Sequence, residues 1–242
     1  MKSNIEVILA VACLALATLA CAGNTGGGGS NTPTPAAPFD TDVPVVPTET
    51  QSSTGDVLLI DDFSSARWGT GTDADSSVEY ASEALQMIVF TKNHFIRSRP
   101  DNQDYQNVHL EVTVINNDTD STTAFGLMCN QQAGDDSSFY YFAMTPAGQY
   151  AIAKAAAGQT DVFLTNNDEW ASSELISKNA SSYRVGADCG NGNLTLYVDG
   201  QQIASVSDSS YTNGGVGVFT WSGEEVASAN VSFDDFAMTE LP

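Results

Sequence analysis

Thirty aspartates and glutamates, eight lysines and arginines, two histidines and four cysteines define the chemistry open to this chain of 242 residues. Carboxylates can move protons or ligate a hard cation. His94 and His109, with four thiols and no Cys-x-x-Cys pair, fall short of a standard zinc set. Glycoside hydrolysis would need two carboxyls across one cleft, about 5 to 9.5 Å apart. With thirty acids present, no single one stands out. The side chains of adjacent pairs such as Asp168-Glu169 and Glu224-Glu225 would point to opposite faces if extended. No Gly-x-Ser-x-Gly elbow suggests an esterase.

Asp61-Asp62 and Asp234-Asp235, each followed by phenylalanine, could converge on one structural calcium if their strands are neighbours, with the acidic turn Asp73-Ala74-Asp75 nearby. No other cofactor is required by any motif. Solvation and colloidal stability are the competing use of acidic pairs in a chain of net charge -22.

Sugars present apolar C–H faces and hydroxyl edges, so an exposed aromatic ring beside short polar groups is a third chemistry. Trp68, Trp170 and Trp221 are the ring candidates, and Tyr141, Arg97, Arg99 and Glu111 are candidate companions. Core packing is the competing use of each tryptophan. Arg184 reads as the partner of a carboxylate on a sheet, and His109 as a solvated or sheet-face residue.

Eight cations over this length are too few to neutralise a run of phosphates, which excludes sequence-independent nucleic-acid binding and disfavours anionic lipid surfaces. Charged residues make up 16% of the chain, a composition suited to strands and turns rather than surface helices.

The elements that must position these residues begin after an address. Met1 to Glu6 carries one cation, Lys2, and the apolar run Val7 to Ala20 is too short to span a bilayer stably; residues 1–20 read as a signal peptide. Thr18-Leu19-Ala20-Cys21 resembles a bacterial lipoprotein processing site, with Thr18 and Leu19 departing from it. This implies lipidation at Cys21, membrane attachment only through that anchor, and an exported, cell-envelope location; ordinary cleavage and release is the alternative. Residues 21–54, rich in Gly, Thr and Pro, read as a disordered linker. Cys129 and Cys189 are then the two cysteines of the folded part, and in an exported domain one disulfide is the simplest reading; free thiols are the alternative.

From residue 55 to 242 the pattern is short runs rich in β-branched and aromatic residues, separated by turn residues. In Val108 to Val114 the apolar residues share one face, while His109, Glu111 and Thr113 share the other. Asp199-Gly200 between two alternating runs predicts a type I′ hairpin. Any helix in 170–177 is short. The whole reads as an all-β, antiparallel two-sheet sandwich.

Leu59-Ile-Asp-Asp-Phe63, Asn193-Leu-Thr-Leu-Tyr-Val-Asp-Gly-Gln201, Gly215-Val-Gly-Val218 and the closing Val231-Ser-Phe-Asp-Asp-Phe236 resemble the concanavalin A-like lectin/glucanase superfamily, especially its laminin G-like and 3-keto-disaccharide hydrolase branches. The resemblance covers about 57 to 239. It implies a jelly roll with adjacent terminal strands and a concave face where saccharides often bind. The Glu-x-Asp-x-x-Glu array of the glucanase branch does not occur here. The reading that follows is a surface-anchored carbohydrate-binding or adhesion module with a glycan partner and no catalysis of its own. A glycoside hydrolase of the 3-keto-disaccharide type and a purely structural surface protein are the alternatives.

Overall fold

Along Val108–Asn116 the apolar/polar alternation becomes an alternation of burial: Val108, Leu110, Val112 and Val114 are buried, while His109, Glu111 and Thr113 are half-buried. A strand's period of two dictates this. The computed structural model describes residues 55–118, 120–135, 137–224 and 228–242. The expected signal peptide (1–20), Cys21 and the expected linker (21–54) lie outside the described residues.

All regular structure among the described residues is strand. The strands are β1 (Val57–Asp61), β2 (Gly71–Thr72), β3 (Ser76–Ala81), β4 (Ala84–Val89), β5 (Phe95–Ser98), β6 (Val108–Asn116), β7 (Ala124–Gln131) and β8 (Phe139–Met144). There follow β9 (Gln149–Ala155), β10 (Val162–Phe163), β11 (Ala171–Ser172), β12 (Ser182–Gly190), β13 (Asn193–Val198), β14 (Gln201–Ser207), β15 (Gly215–Trp221) and β16 (Ala229–Glu240). A nine-stranded sheet runs β14-β13-β12-β6-β16-β4-β3-β2, with β1 also paired to β16; a seven-stranded sheet runs β10-β9-β8-β7-β15-β5, with β11 paired to β9. The pairings are antiparallel, and the two sheets form the expected jelly-roll sandwich. The first and last strands are neighbours, Asp61 opposing Phe236.

The core lies between the sheets. Leu85, Met87, Leu110, Phe233 and Phe236 come from the nine-stranded sheet, and Phe125, Leu127, Tyr140 and Phe142 from the other. Each large apolar side chain withdrawn from water contributes about 1.5–3 kcal/mol against the chain entropy. Cys129 on β7 and Cys189 on β12 form the expected disulfide, which ties one sheet to the other across the core. Closing a loop with a sequence separation of 60 stabilises the fold by about 4 kcal/mol on the chain-entropy model. Such a bond suits an oxidising compartment.

The expected hairpin is present: Val198 opposes Gln201, and Asp199 and Gly200 take φ of 50° and 75°, both left-handed as a type I′ turn requires. Elsewhere the structure adds to the sequence reading. Strands β3 and β5 were not anticipated, because Ser76–Ala81 and Phe95–Ser98 mix polar and apolar residues over short spans. The segment 170–177 holds the two-residue β11 followed by turns, with no helical turn among the described residues.

Candidate functional site

Strand β8 is buried along its whole length. Tyr140, Phe142 and Met144 enter the core, so Phe139, Tyr141 and Ala143 must point to the outer face of the seven-stranded sheet. There they meet Met128, Ala153, Ala155 and Phe219 in a second apolar cluster, with Phe95, Phe163 and Trp170 packed at its margins. Register explains the shape. Phe139 and Tyr141 oppose Ala155 and Ala153 of β9, and Trp221 opposes Phe95 of β5 and Ala124 of β7, so large rings stand beside alanines. The result is a groove of about 580 Å3.

The rings are tightly ordered. Phe95 stacks on Phe219 at 4.8 Å between centroids, and Tyr141 meets Phe219 edge-on at 5.5 Å. Phe163 and Trp170 pack T-shaped at 5.2 Å. The Trp221 indole N–H donates to Asn93 Oδ1 at 3.0 Å, which fixes the ring at the groove's end. Such contacts add about 0.5–1.5 kcal/mol each beyond buried area. Among the described residues, Asp161 and Glu224 are the acidic ones of the lining. Asp161 Oδ2 accepts the Tyr141 hydroxyl at 3.0 Å, and burial, then the Asp161 charge, push that phenol well above the ordinary tyrosine range.

Arg97 projects from β5 on the same face, opposite Phe219, with its guanidinium 5.6 Å from the centroid of the Phe139 ring. It also lines an adjoining, more polar groove of about 970 Å3, together with Arg67, Arg99, His94, Asp73 and Asp101. Of the anticipated ligand residues, the aromatic groove thus gathers Arg97, Tyr141, Trp170 and Trp221, and the polar groove adds Arg99.

Two anticipated ligand residues lie elsewhere, and their roles are corrected. Trp68 is 4% exposed and packs on Phe63 and Phe236, while its indole N–H donates to Asp61 Oδ2 at 3.3 Å. A ring enclosed this way is core. Glu111 lies on the outer face of the nine-stranded sheet, where its Oε2 pairs with Arg184 at 3.0 Å and its Oε1 lies 3.6 Å from His109 Nε2. His109 Nδ1 meets Asp188 Oδ1 at 2.6 Å, and the Tyr197 hydroxyl donates to Asp188 Oδ2 at 2.7 Å. The hydrogen bond to Asp188, then that to Glu111, raise the imidazole pKa to about 9; His109, then Arg184, hold Glu111 down to about 2. Arg184 is a carboxylate's partner and His109 a sheet-face residue, as read from the sequence.

The four aspartates considered for calcium do not assemble one ligand set. Asp61 is buried and turned inward, accepting the Phe63 N–H at 2.8 Å and the Trp68 indole, with Arg67 Nε at 3.5 Å. Asp62 accepts the Ser64 N–H, and Asp234 accepts the Asp235 N–H at 2.7 Å. Desolvation raises the Asp234 pKa, opposed by that hydrogen bond and helped by the charges of Asp235, Asp62 and Glu83. Among the described residues no three His, Cys, Asp or Glu side chains group as a metal site.

The groove residues absent from the sequence reading are Phe95, Phe139, Phe163, Phe219 and Asp161. One signal for them was available. Phe139-Tyr-Tyr-Phe-Ala-Met144 is apolar without alternation, which marks a strand covered on both faces rather than one.

No family model matches the sequence, and no curated protein matches it either. Solved structures do match in shape. A carbohydrate-binding module, CBM66 from Bacillus subtilis, aligns with a TM-score of 0.56 at 16% identity, over 72% of this chain and 96% of that one. A Bacillus subtilis protein of unknown function with a galectin-like fold gives 0.57 at 11% identity, over 77% and 97%. A Bacillus licheniformis beta-glucanase gives 0.54 at 13% identity, over 78% and 100%. Together with two antiparallel sheets whose terminal strands are neighbours, these likenesses identify the folded part as a concanavalin A-like jelly-roll sandwich.

Proposed function

We propose that this chain is an exported carbohydrate-binding module, held at the cell surface by a lipid on Cys21, that captures glycans in the aromatic groove of its seven-stranded sheet. The observation that carries the reading is one open groove in which the half-buried rings of Phe95, Trp170 and Trp221 stand over a floor of buried Phe139, Tyr141 and Phe219. In that groove apolar ring faces match sugar C–H faces, and Arg97, Asn93 and Asp161 supply hydrogen-bonding partners. The CBM66 likeness supports a binding role on this fold; the beta-glucanase likeness shows that the same fold also carries chemistry.

A glycan array probed with the full chain tests it. Retention of at least one glycan, lost in Trp221→Ala, is expected, and an array without any retained glycan would sink the reading. Hydrolysis is the second reading, because Asp161 and Glu224 line the same groove. Release of sugar from a retained glycan, abolished in Asp161→Asn, would replace binding by catalysis. Metabolic labelling with a fatty acid, lost in Cys21→Ser, tests the anchor.

A further inference from the structure

Resting on the groove reading above, we infer that the captured saccharide is acidic, and that its carboxylate or sulfate ester sits among Arg99, Arg97 and Arg67 beside the edge strand β5. The chain as a whole is strongly negative, with eight Lys+Arg against 30 Asp+Glu. Against that background three of its four arginines line a single groove, together with His94 and opposed by two aspartates, Asp73 and Asp101.

Those aspartates are engaged locally. Asp73 Oδ1 accepts the N–H groups of Asp75 and Ser76, while Asp101 accepts the Gln103 N–H and the Tyr105 hydroxyl. Of the other cations, Arg184 pairs with Glu111 and Lys154 with Asp208, and within the groove Arg67 Nε stands 3.5 Å from Asp61 Oδ2. Arg99 instead donates from Nη2 to a neutral acceptor, the Gln103 carbonyl, over a long 3.4 Å.

The backbone is shaped around Arg99. A Cβ on Gly215 would lie 2.2 Å from its guanidinium carbon, and one on Gly217 would lie 3.3 Å from its Cγ. Glycine at 215 therefore leaves a bed in which the arginine lies along the sheet, while at Gly217 a Cβ would first meet the Ser98 carbonyl oxygen at 2.4 Å. The planar guanidinium fork matches carboxylate and sulfate oxygens, and a cationic patch in an otherwise anionic surface focuses an anion there. The rest of the surface repels polyanions, which confines capture to this place. Arg97 lines both grooves, so a sugar with its face on the aromatic rings can reach the arginines with its acidic group.

Affinity electrophoresis of the full chain tests the inference. Polygalacturonate and hyaluronan present carboxylates without sulfate, dextran sulfate presents sulfate esters, and pectic galactan and dextran are neutral. At least one anionic polymer should retard the protein, and Arg99→Gln should weaken that binding about tenfold or more. Arg99→Lys, which keeps the charge and loses the fork, should recover part of it. Thermal melting of each variant separates lost binding from lost folding, and Gly215→Ala, whose Cβ would displace the Arg99 guanidinium, gives an independent second variant. Retardation by anionic polymers that is unchanged in Arg99→Gln overturns the inference. So does binding of neutral polymers alone, lost in Trp221→Ala, which leaves the groove reading standing. Retardation by none of these polymers overturns the inference, while the broader glycan array decides the groove reading separately.

Discussion

The guanidinium carbon of Arg97 lies 5.6 Å from the centroid of the Phe139 ring, although the two residues belong to strands separated in the sheet by β7 and β15. The contact is a cation–π approach on the outer face, and it lies where the aromatic groove gives way to the arginine-lined one. A single edge-strand side chain thus belongs to both an apolar and a charged surface.

The three tryptophans should separate by phenotype. Trp68→Ala removes a core ring and should cost about 3–5 kcal/mol of stability, whereas Trp170→Ala and Trp221→Ala remove half-buried rings of the groove and should weaken glycan capture more than folding. Thermal melting and glycan retention on the same three variants check this. A Trp68→Ala protein that melts like wild type would contradict the core assignment.

Reduction of Cys129–Cys189 should lower stability by about 4 kcal/mol on the chain-entropy model, because the bond restrains the unfolded chain. Urea unfolding with and without reductant measures the shift. Equal midpoints would show that the bond does not constrain the unfolded state as argued.

The network on the nine-stranded sheet makes stability depend on pH in two directions. His109 has a pKa raised from 6.5 to about 9, so its contribution is whole below 6.5 and is lost as pH rises through about 9. Glu111 is lowered from 4.5 to about 2, so its contribution is present above 4.5 and is lost as pH falls through about 2. Both groups are half-exposed, so solvent screening keeps the energies small. Urea midpoints measured across pH should decline on the alkaline side in wild type and flatten there in His109→Gln. Parallel curves would remove His109 from the account.

A chelator should leave the melting midpoint unchanged, because Asp61 already spends its carboxylate on Phe63, Trp68 and Arg67 rather than joining Asp62, Asp234 and Asp235. An ion bound only by the folded state raises the midpoint when supplied. A higher midpoint with calcium than with chelator would restore the ion.

Local pattern made most of the fold legible. The alternation in Val108–Asn116 assigned its core face, Asp199-Gly200 specified a hairpin, and Cys129 and Cys189 paired as two cysteines of an exported domain should. The site was legible only in part. Arg97, Tyr141, Trp170 and Trp221 were chosen by residue type and do line one groove, but Trp68 and Glu111 were chosen by the same criterion and lie elsewhere. Residue type reports what a side chain can bind, and gives no sign of which sheet or face will carry it.

By itself the sequence determined that the folded part is made of antiparallel strands, because period-two patterning and turn chemistry act over a few residues. Which aromatic rings stand together was decided only in three dimensions. Phe95, Phe139 and Phe219 lie on strands distant in the chain, and they meet because β5, β15 and β8 occupy the same sheet in a register that turns all three to one face. Pairing between distant strands is selected by the packing of the whole sandwich, and no short stretch of residues encodes it.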